Sequence, residues 1–381
     1  MKKQLFIMFL NIISIFGCVG ICFNVFPSFL PQVTDASVVF AKLASPEYLG
    51  NKAGANISNY ITPEAENTTN TRDGEQVMHT IGSKESDDDC DITETPSDVK
   101  TLMKEAEKKY SKKNSKGKTS EEPYQGGGTI ISCGDVQIQS KIPSSYYKPN
   151  IKALLKQGSD LKIKDKSKPT ILIYHSHTTE AYSLLDSGYY ISSDSRSKDN
   201  SKNVVRVGDE LVKYLEKAGF VVIHDTKIHD TDYNTSYDSS RKVVEKYLEE
   251  YPSIEITIDL HRDDITYSNK TKVKPTAVVN DKKAARMMII SGCEYGRVVN
   301  FPDWEYNLRF DLQVQNKVCK LYPGLMRPIL FSERKYNMYE THTSFLLEIG
   351  TDANTLDEAC YSARLFGDAL GKLLNDKYVK Q

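Results

Sequence analysis

"TILIYHSHTTE", residues 170–180, runs from a β-rich apolar segment straight into a polar turn holding two histidines and a glutamate. Thr170–Tyr174 have strand composition, and the polar residues behind them mark where the strand stops. The same texture returns in "VQIQ" (136–139), "FVVIH" (220–224), "IEITIDLH" (254–261), "TAVVN" (276–280), "RMMIIS" (286–291), "PILFS" (328–332) and "SFLLEIG" (344–350). Helical spacing fills several of the gaps. Val204, Val207, Leu211 and Leu215 share one helix face, as do Val244, Tyr247, Leu248 and Tyr251 ahead of Pro252. Leu356, Cys360, Ala363, Leu370 and Leu373 form a third stripe, behind a capping box from Thr355 to Glu358. Strands alternating with helices predict an α/β domain with a twisted, mostly parallel sheet flanked by helices. No internal repeat is visible.

In open α/β sheets, ligands bind beyond the carboxyl ends of the strands. Three of the runs above carry ionisable residues there. His175-Ser176-His177-Thr178-Thr179-Glu180 follows one strand, His261-Arg262-Asp263-Asp264 another, and Glu348 lies in the last. The H-x-x-E spacing places His177 and Glu180 on one side of a single turn. His261 from a neighbouring strand completes a His2Glu set, which leaves zinc an open fourth position for water, the layout of a catalytic site. Bound water then reaches a pKa of roughly 7. A carboxylate is needed to move its proton to the leaving group, and Glu348 is the candidate. His175 and His177, two apart, would face the same way on a continuing strand. The metal goes to His177, the one with the i, i+3 partner. His175, Arg262 and Asp263 are left to support the ligands or touch substrate. His224, His229, His342 and Glu340 read as structural or rim residues.

The chain has 381 residues, 50 basic and 51 acidic, so no basic face speaks for nucleic acid. Its seven cysteines are scattered, with no C-x-x-C pair outside the N-terminal apolar run, and argue for neither a zinc knuckle nor a disulfide framework. Lys2 and Lys3 precede an uncharged run reaching Leu30, long enough to cross a bilayer and longer than a secretory core. Residues 1–31 are therefore expected to be a cytoplasmic N-terminus and uncleaved signal anchor, with the remainder exported. From 32 to 128 the composition is polar, with acidic ("ESDDDCD") and basic ("KKYSKKNSKGK") blocks, and predicts a largely disordered linker in which "SDVKTLMKEAEKKY" is at most a transient helix. His79 belongs to this tether. The catalytic domain is expected over 129–381.

"ILIYHSHTTEAY", "NVVRVGDELVKYLEKAGFVVIHDTKIHD", "YNTSYDSSRKVVEKYLEEYPSIEITIDLHRD", "YPGLMRPI" and "LLEIGTDANTLDEA" together resemble the stage II sporulation protein P family of endospore-forming bacteria, over roughly 129–381. That family is similar in turn to zinc-dependent N-acetylmuramoyl-L-alanine amidases with a phosphorylase/hydrolase-like α/β fold. The resemblance implies a peptidoglycan hydrolase of forespore engulfment, single-pass in the mother-cell membrane with its catalytic domain on the extracytoplasmic side. It implies one Zn2+ per catalytic domain and cleavage between muramic acid and L-alanine, with cross-link endopeptidase activity besides. Stage II sporulation proteins D and M are the implied partners. Carried over, the ligands fall on His177, Glu180 and His261 and the catalytic glutamate on Glu348. Where the amidases carry a glycine-rich loop at the first ligand this chain has "HSHTTE", which keeps both Glu180 and His175 open as the second ligand.

Two other functions compete. A zinc carboxypeptidase trimming stem peptides uses the same ligand spacing and an arginine clamp for the free carboxylate, a role open to Arg262. A wall-binding scaffold without chemistry would need none of these groups.

Overall fold

The computed structural model describes residues 77–79, 91–124, 126–192 and 195–380. Nine strands form the principal sheet, in the order β1, β7, β5, β8, β13, β11, β12, β4, β3. They are β1 (Val77–His79), β3 (Thr129–Cys133), β4 (Val136–Ser140), β5 (Pro169–Tyr174), β7 (Val221–His224), β8 (Ile256–Asp263), β11 (Met287–Gly292), β12 (Ile329–Ser332) and β13 (Phe345–Thr351). The pairs β7–β5, β5–β8, β8–β13, β11–β12 and β12–β4 are parallel, whereas β1–β7, β13–β11 and β4–β3 are antiparallel. The sheet is thus mixed, reversing direction between β13 and β11.

Side-chain alternation assigns the two faces. Ile256, Ile258 and Leu260 of β8 and Phe345, Leu347 and Ile349 of β13 enter the main core. There they meet α3 (Val204–Lys217), α5 (Trp304–Leu321) and α6 (Leu356–Lys377). The residues between them, Asp259, His261, Leu346 and Glu348, necessarily face the other way. That second face is covered by α4 (Ser236–Glu250), whose Val244 and Tyr247 pack on Leu172, Tyr174 and Ile223. Loop residues Phe301, Tyr336 and Met338 cover the neighbouring part. The expected capping box at the start of α6 is present, with Thr355 accepting from the Glu358 amide.

Helix α5 had no reading in the sequence. "LRFDLQVQ" (308–315) alternates apolar and polar residues with the period of a strand. It is helical because both sets are buried, the polar one through Arg309, Asp311, Gln313 and Gln315, and a helix buried all round shows no amphipathic stripe. "TAVVN" is a strand of a separate four-stranded sheet, β10 (Lys282–Ala285), β9 (Lys272–Val279), β2 (Gly117–Glu122) and β6 (Tyr189–Tyr190).

The folded unit begins ahead of residue 129. α1 (Ser97–Lys109) buries Val99 completely, and Arg206 of α3 clamps its Asp98 at 2.7 Å. Strand β2 pairs in parallel with β9. Its Glu121, with Asp186 and Glu358, converges on the ammonium of Lys274 at 3.1, 2.6 and 2.8 Å. The linker expected over 32–128 therefore gives way, for residues 91–124, to ordered structure. The polar composition misled because Asp98 and Glu121 there close ion pairs with the domain. The expected anchor over 1–31 lies outside the described residues, and among those described no helix is long and apolar enough to cross a membrane.

Candidate functional site

The chain leaves β5 after Tyr174 and turns, so strand alternation ends at His175. That residue still follows Ile171 and Ile173 to the helix face. There its Nε2 lies 2.9 Å from Nε2 of His224 and its Nδ1 bonds the Leu260 carbonyl at 2.9 Å. Gly208 of α3 makes room for the pair, since a Cβ there would come within 2.6 Å of the His224 imidazole. The turn sends Ser176 and His177 to the opposite face. The expectation that both histidines face one way is thus corrected. His175 has both ring nitrogens engaged, by the Leu260 carbonyl and His224.

On the site face, β8 carries Asp259 and His261 two residues apart. His261 Nε2 lies 2.8 Å from Asp259 Oδ1 and 2.9 Å from the Ser176 hydroxyl, and its Nδ1 lies 3.2 Å from Glu180 Oε2. Ser176 closes the arrangement by donating to Asp259 from its amide (2.8 Å) and hydroxyl (2.6 Å). Burial alone would discharge the His261 ring, but the flanking Asp259 and Glu180 carboxylates raise its pKa well above the usual value. Burial likewise raises the Glu180 carboxyl, and the His261 and Arg262 charges outweigh it to leave a net depression. Glu348, 1% exposed, stands directly beside His261 in the parallel register of β13 and β8. Two residues on, Gly350 takes φ 63° where the register shifts past Glu348, a conformation open to glycine at little cost.

His177 completes the cleft. Its imidazole stacks on Tyr233 at 4.4 Å and 5°, meets Tyr237 edge-on at 5.2 Å and lies perpendicular to His261 at 5.3 Å. Burial pushes its pKa down to about 3, and its Nδ1 is buried without a hydrogen-bond partner. Tyr336, at φ 43°, stacks on Tyr237 at 4.6 Å. An aromatic residue at positive φ is held there by its surroundings, here by Asn337 donating to the Tyr237 carbonyl and Ser240. His177, Tyr233, Tyr237, His261, Tyr336, Leu346 and Glu348 enclose a cavity of about 10 Å³, room for about one water centre.

These residues fit a divalent cation by the chemistry of their donors. Two tetrahedral zinc ligands at their usual bond lengths sit about 3.3 Å apart, close to the 3.2 Å between His261 Nδ1 and Glu180 Oε2. Asp259 on the far nitrogen is the carboxylate that metal-bound histidines commonly carry. The orphaned Nδ1 of His177 would be the third donor, although it stands off: among the described residues, the cluster whose donor atoms all close to within 4.8 Å is Glu121–Asp186–Glu358. The cation held by that cluster is the ammonium of Lys274.

The other two expected site residues are elsewhere. The Arg262 amide donates to Glu180, and its guanidinium ties the Ala181 and Ser195 carbonyls at 3.2 and 3.0 Å. Asp263 pairs with Arg327 at 2.9 Å. Neither lines the cleft; both fix loops. His229 bonds Asp225 at 2.6 Å, and His342 pairs with Asp160 at 3.1 Å. Asp259 was missed although its position two before His261 on a strand places it on the same face. Tyr233, Tyr237 and Tyr336 had no signal, because loop and helix-start residues reach the cleft without periodicity.

The family model for stage II sporulation protein P matches residues 49–371. The chain belongs to that family. It is 29% identical over 258 residues to stage II sporulation protein P of Bacillus subtilis (strain 168), covering 62% of this chain and 61% of that protein's length. Similar solved structures include the N-acetylmuramoyl-L-alanine amidase AmiC2 of Nostoc punctiforme, at 12% identity and TM-score 0.33, covering 56% of this chain and 97% of that one. The CwlD amidase from Clostridioides difficile, in complex with the GerS lipoprotein, matches at 12% identity and TM-score 0.33, covering 55% of this chain and 100% of that one.

Proposed function

We propose that this chain is a peptidoglycan hydrolase of sporulation, which cleaves the amide between N-acetylmuramic acid and L-alanine using one divalent cation, zinc by ligand type. Family membership supports the sporulation role. The observation that carries the chemistry is the side-by-side placement of His261 and Glu348 on adjacent parallel strands, with Glu180 3.2 Å from the free side of His261.

His177, Glu180 and His261 would hold the ion. When bound, it supplies an acidified water and polarises the scissile carbonyl. Asp259 and Ser176 keep the His261 ring in one orientation, and the stacked tyrosines fix His177 and keep bulk water out. Glu348, buried beside His261, takes the proton of the attacking water and returns it to the departing amine. Without that return the tetrahedral adduct would expel water in preference to the amine.

Arg262 does not serve the carboxypeptidase reading, since its guanidinium is spent on loop carbonyls. Cross-link cleavage remains part of the proposal, at the same centre. So do stage II sporulation proteins D and M as partners, and so does location outside the cytoplasmic membrane, the side given by the charge asymmetry around residues 1–31. The test is digestion of purified sacculi by the purified protein, with new ends identified by mass spectrometry. Free stem peptides with intact L-alanine termini are expected, absent with Glu348→Gln. Release of terminal D-alanine alone would overturn the reading.

A further inference from the structure

The cleft has acidic groups at its base and two arginines behind its aromatic lining. Glu348 lines it, Asp259 and Glu180 flank His261, and Arg196 and Arg334 lie against the lining rings Tyr233 and Tyr336. The Arg196 guanidinium covers the outer face of Tyr233 at 4.9 Å, and the inner face of that ring is the one stacked on His177. Arg334 donates to the Tyr336 hydroxyl at 2.9 Å and lies against the same ring. Each arginine is thus one aromatic ring away from the centre of the site. Arg262, the residue that the sequence offered for this task, faces away.

We propose that Arg196, seconded by Arg334, recognises a free carboxylate of the substrate close to the scissile amide. The proposal rests on the hydrolase reading above and narrows its substrate to acidic stem peptides. Both hydrogen bonds of the Arg196 guanidinium to described residues, to Asp230 (2.8 Å) and Thr179 (3.2 Å), run through Nη1. Nε and Nη2 are left as a paired edge, the geometry that meets a carboxylate side-on, and the side chain is 36% exposed. Asp230, fully buried, also accepts from the Thr179 amide and hydroxyl. It therefore anchors Arg196 to the very turn that carries His177, fixing the free edge relative to the chemistry. Arg334 has no ion pair among the described residues. From the ring stack, a carboxylate on Arg196 would sit within about three extended residues of His177. The acidic groups alone would repel such a substrate, and the two arginines offset that repulsion.

The test measures binding to the full-length Glu348→Gln protein, which retains the cleft but does not turn substrate over. Two ligands are compared, a disaccharide–peptide with free peptide carboxylates and the same molecule with them amidated. Arg196→Gln should weaken the free-carboxylate ligand about 10–100-fold, the range for losing a charge-assisted pair, and leave the amidated ligand within twofold. Amidation should weaken binding similarly before the substitution and hardly at all after it. Arg334→Gln, which breaks no ion pair among the described residues, should show the same dependence at smaller size. Equal loss on both ligands would reduce Arg196 to a packing residue beneath Tyr233 and overturn the proposal, as would no loss, or no binding of either ligand to the Glu348→Gln protein. Carboxylate-dependent binding with no cleavage by the unsubstituted protein would instead sink the hydrolase reading and leave the recognition site standing.

Discussion

At the scale of single residues, the site separates groups that hold from the group that reacts. In the proposed mechanism Glu348 is not a ligand, so Glu348→Gln should lower kcat about 10²–10⁴-fold, the usual worth of a positioned acid–base, with metal content unchanged. Turnover of a muropeptide alongside elemental analysis checks both halves. Asp259 has the opposite profile. Asp259→Asn removes the carboxylate behind His261 and should weaken metal binding about 10–100-fold, read by competition with a chelator. Part of this was visible in the sequence, because α/β proteins place chemistry toward the carboxyl ends of strands: His177 follows the end of β5, while His261 and Glu348 lie within β8 and β13 on the same face. What misled was the assumption of a continuing strand through His175. The turn after Tyr174 splits the two histidines between opposite faces, and no residue pattern in "HSHTTE" states which way a turn will go.

Among the elements, one tight spot is the approach of α3 to the strand ends. Gly208→Ala would drive a methyl against the His224 imidazole, at 2.6 Å, and should cost about 1–3 kcal/mol as overpacking does, measured by denaturant unfolding. The second such place is Lys274, 2% exposed and held by three carboxylates. Lys274→Met should cost about 3–5 kcal/mol, the penalty for leaving a buried charge such as Glu358 without its partner. Strands β5, β8, β11 and β13 were legible because they are short apolar runs. Helix α5 was not, since burial of its polar face erases the periodicity on which a helix is recognised.

For the whole molecule, the boundary matters most. Composition marked residues 32–128 as linker, yet α1 and β2 are built into the domain through the Asp98–Arg206 and Glu121–Lys274 pairs. A chain starting at residue 129 strips β9 of its parallel neighbour and should unfold at lower denaturant than one starting at residue 91, or fail to fold in soluble form. Composition and local periodicity cannot report that charged residues find long-range partners, and this is why the linker reading does not hold over residues 91–124. The account as a whole stands on a single cation gathered by His177, Glu180 and His261. Its most direct test is the metal content of the purified protein after equilibration with zinc and removal of excess. One equivalent is expected in the unsubstituted protein and in Glu348→Gln, falling to near zero in His261→Ala and His177→Ala. A protein that binds none, or that keeps its full equivalent in both histidine variants, would contradict it.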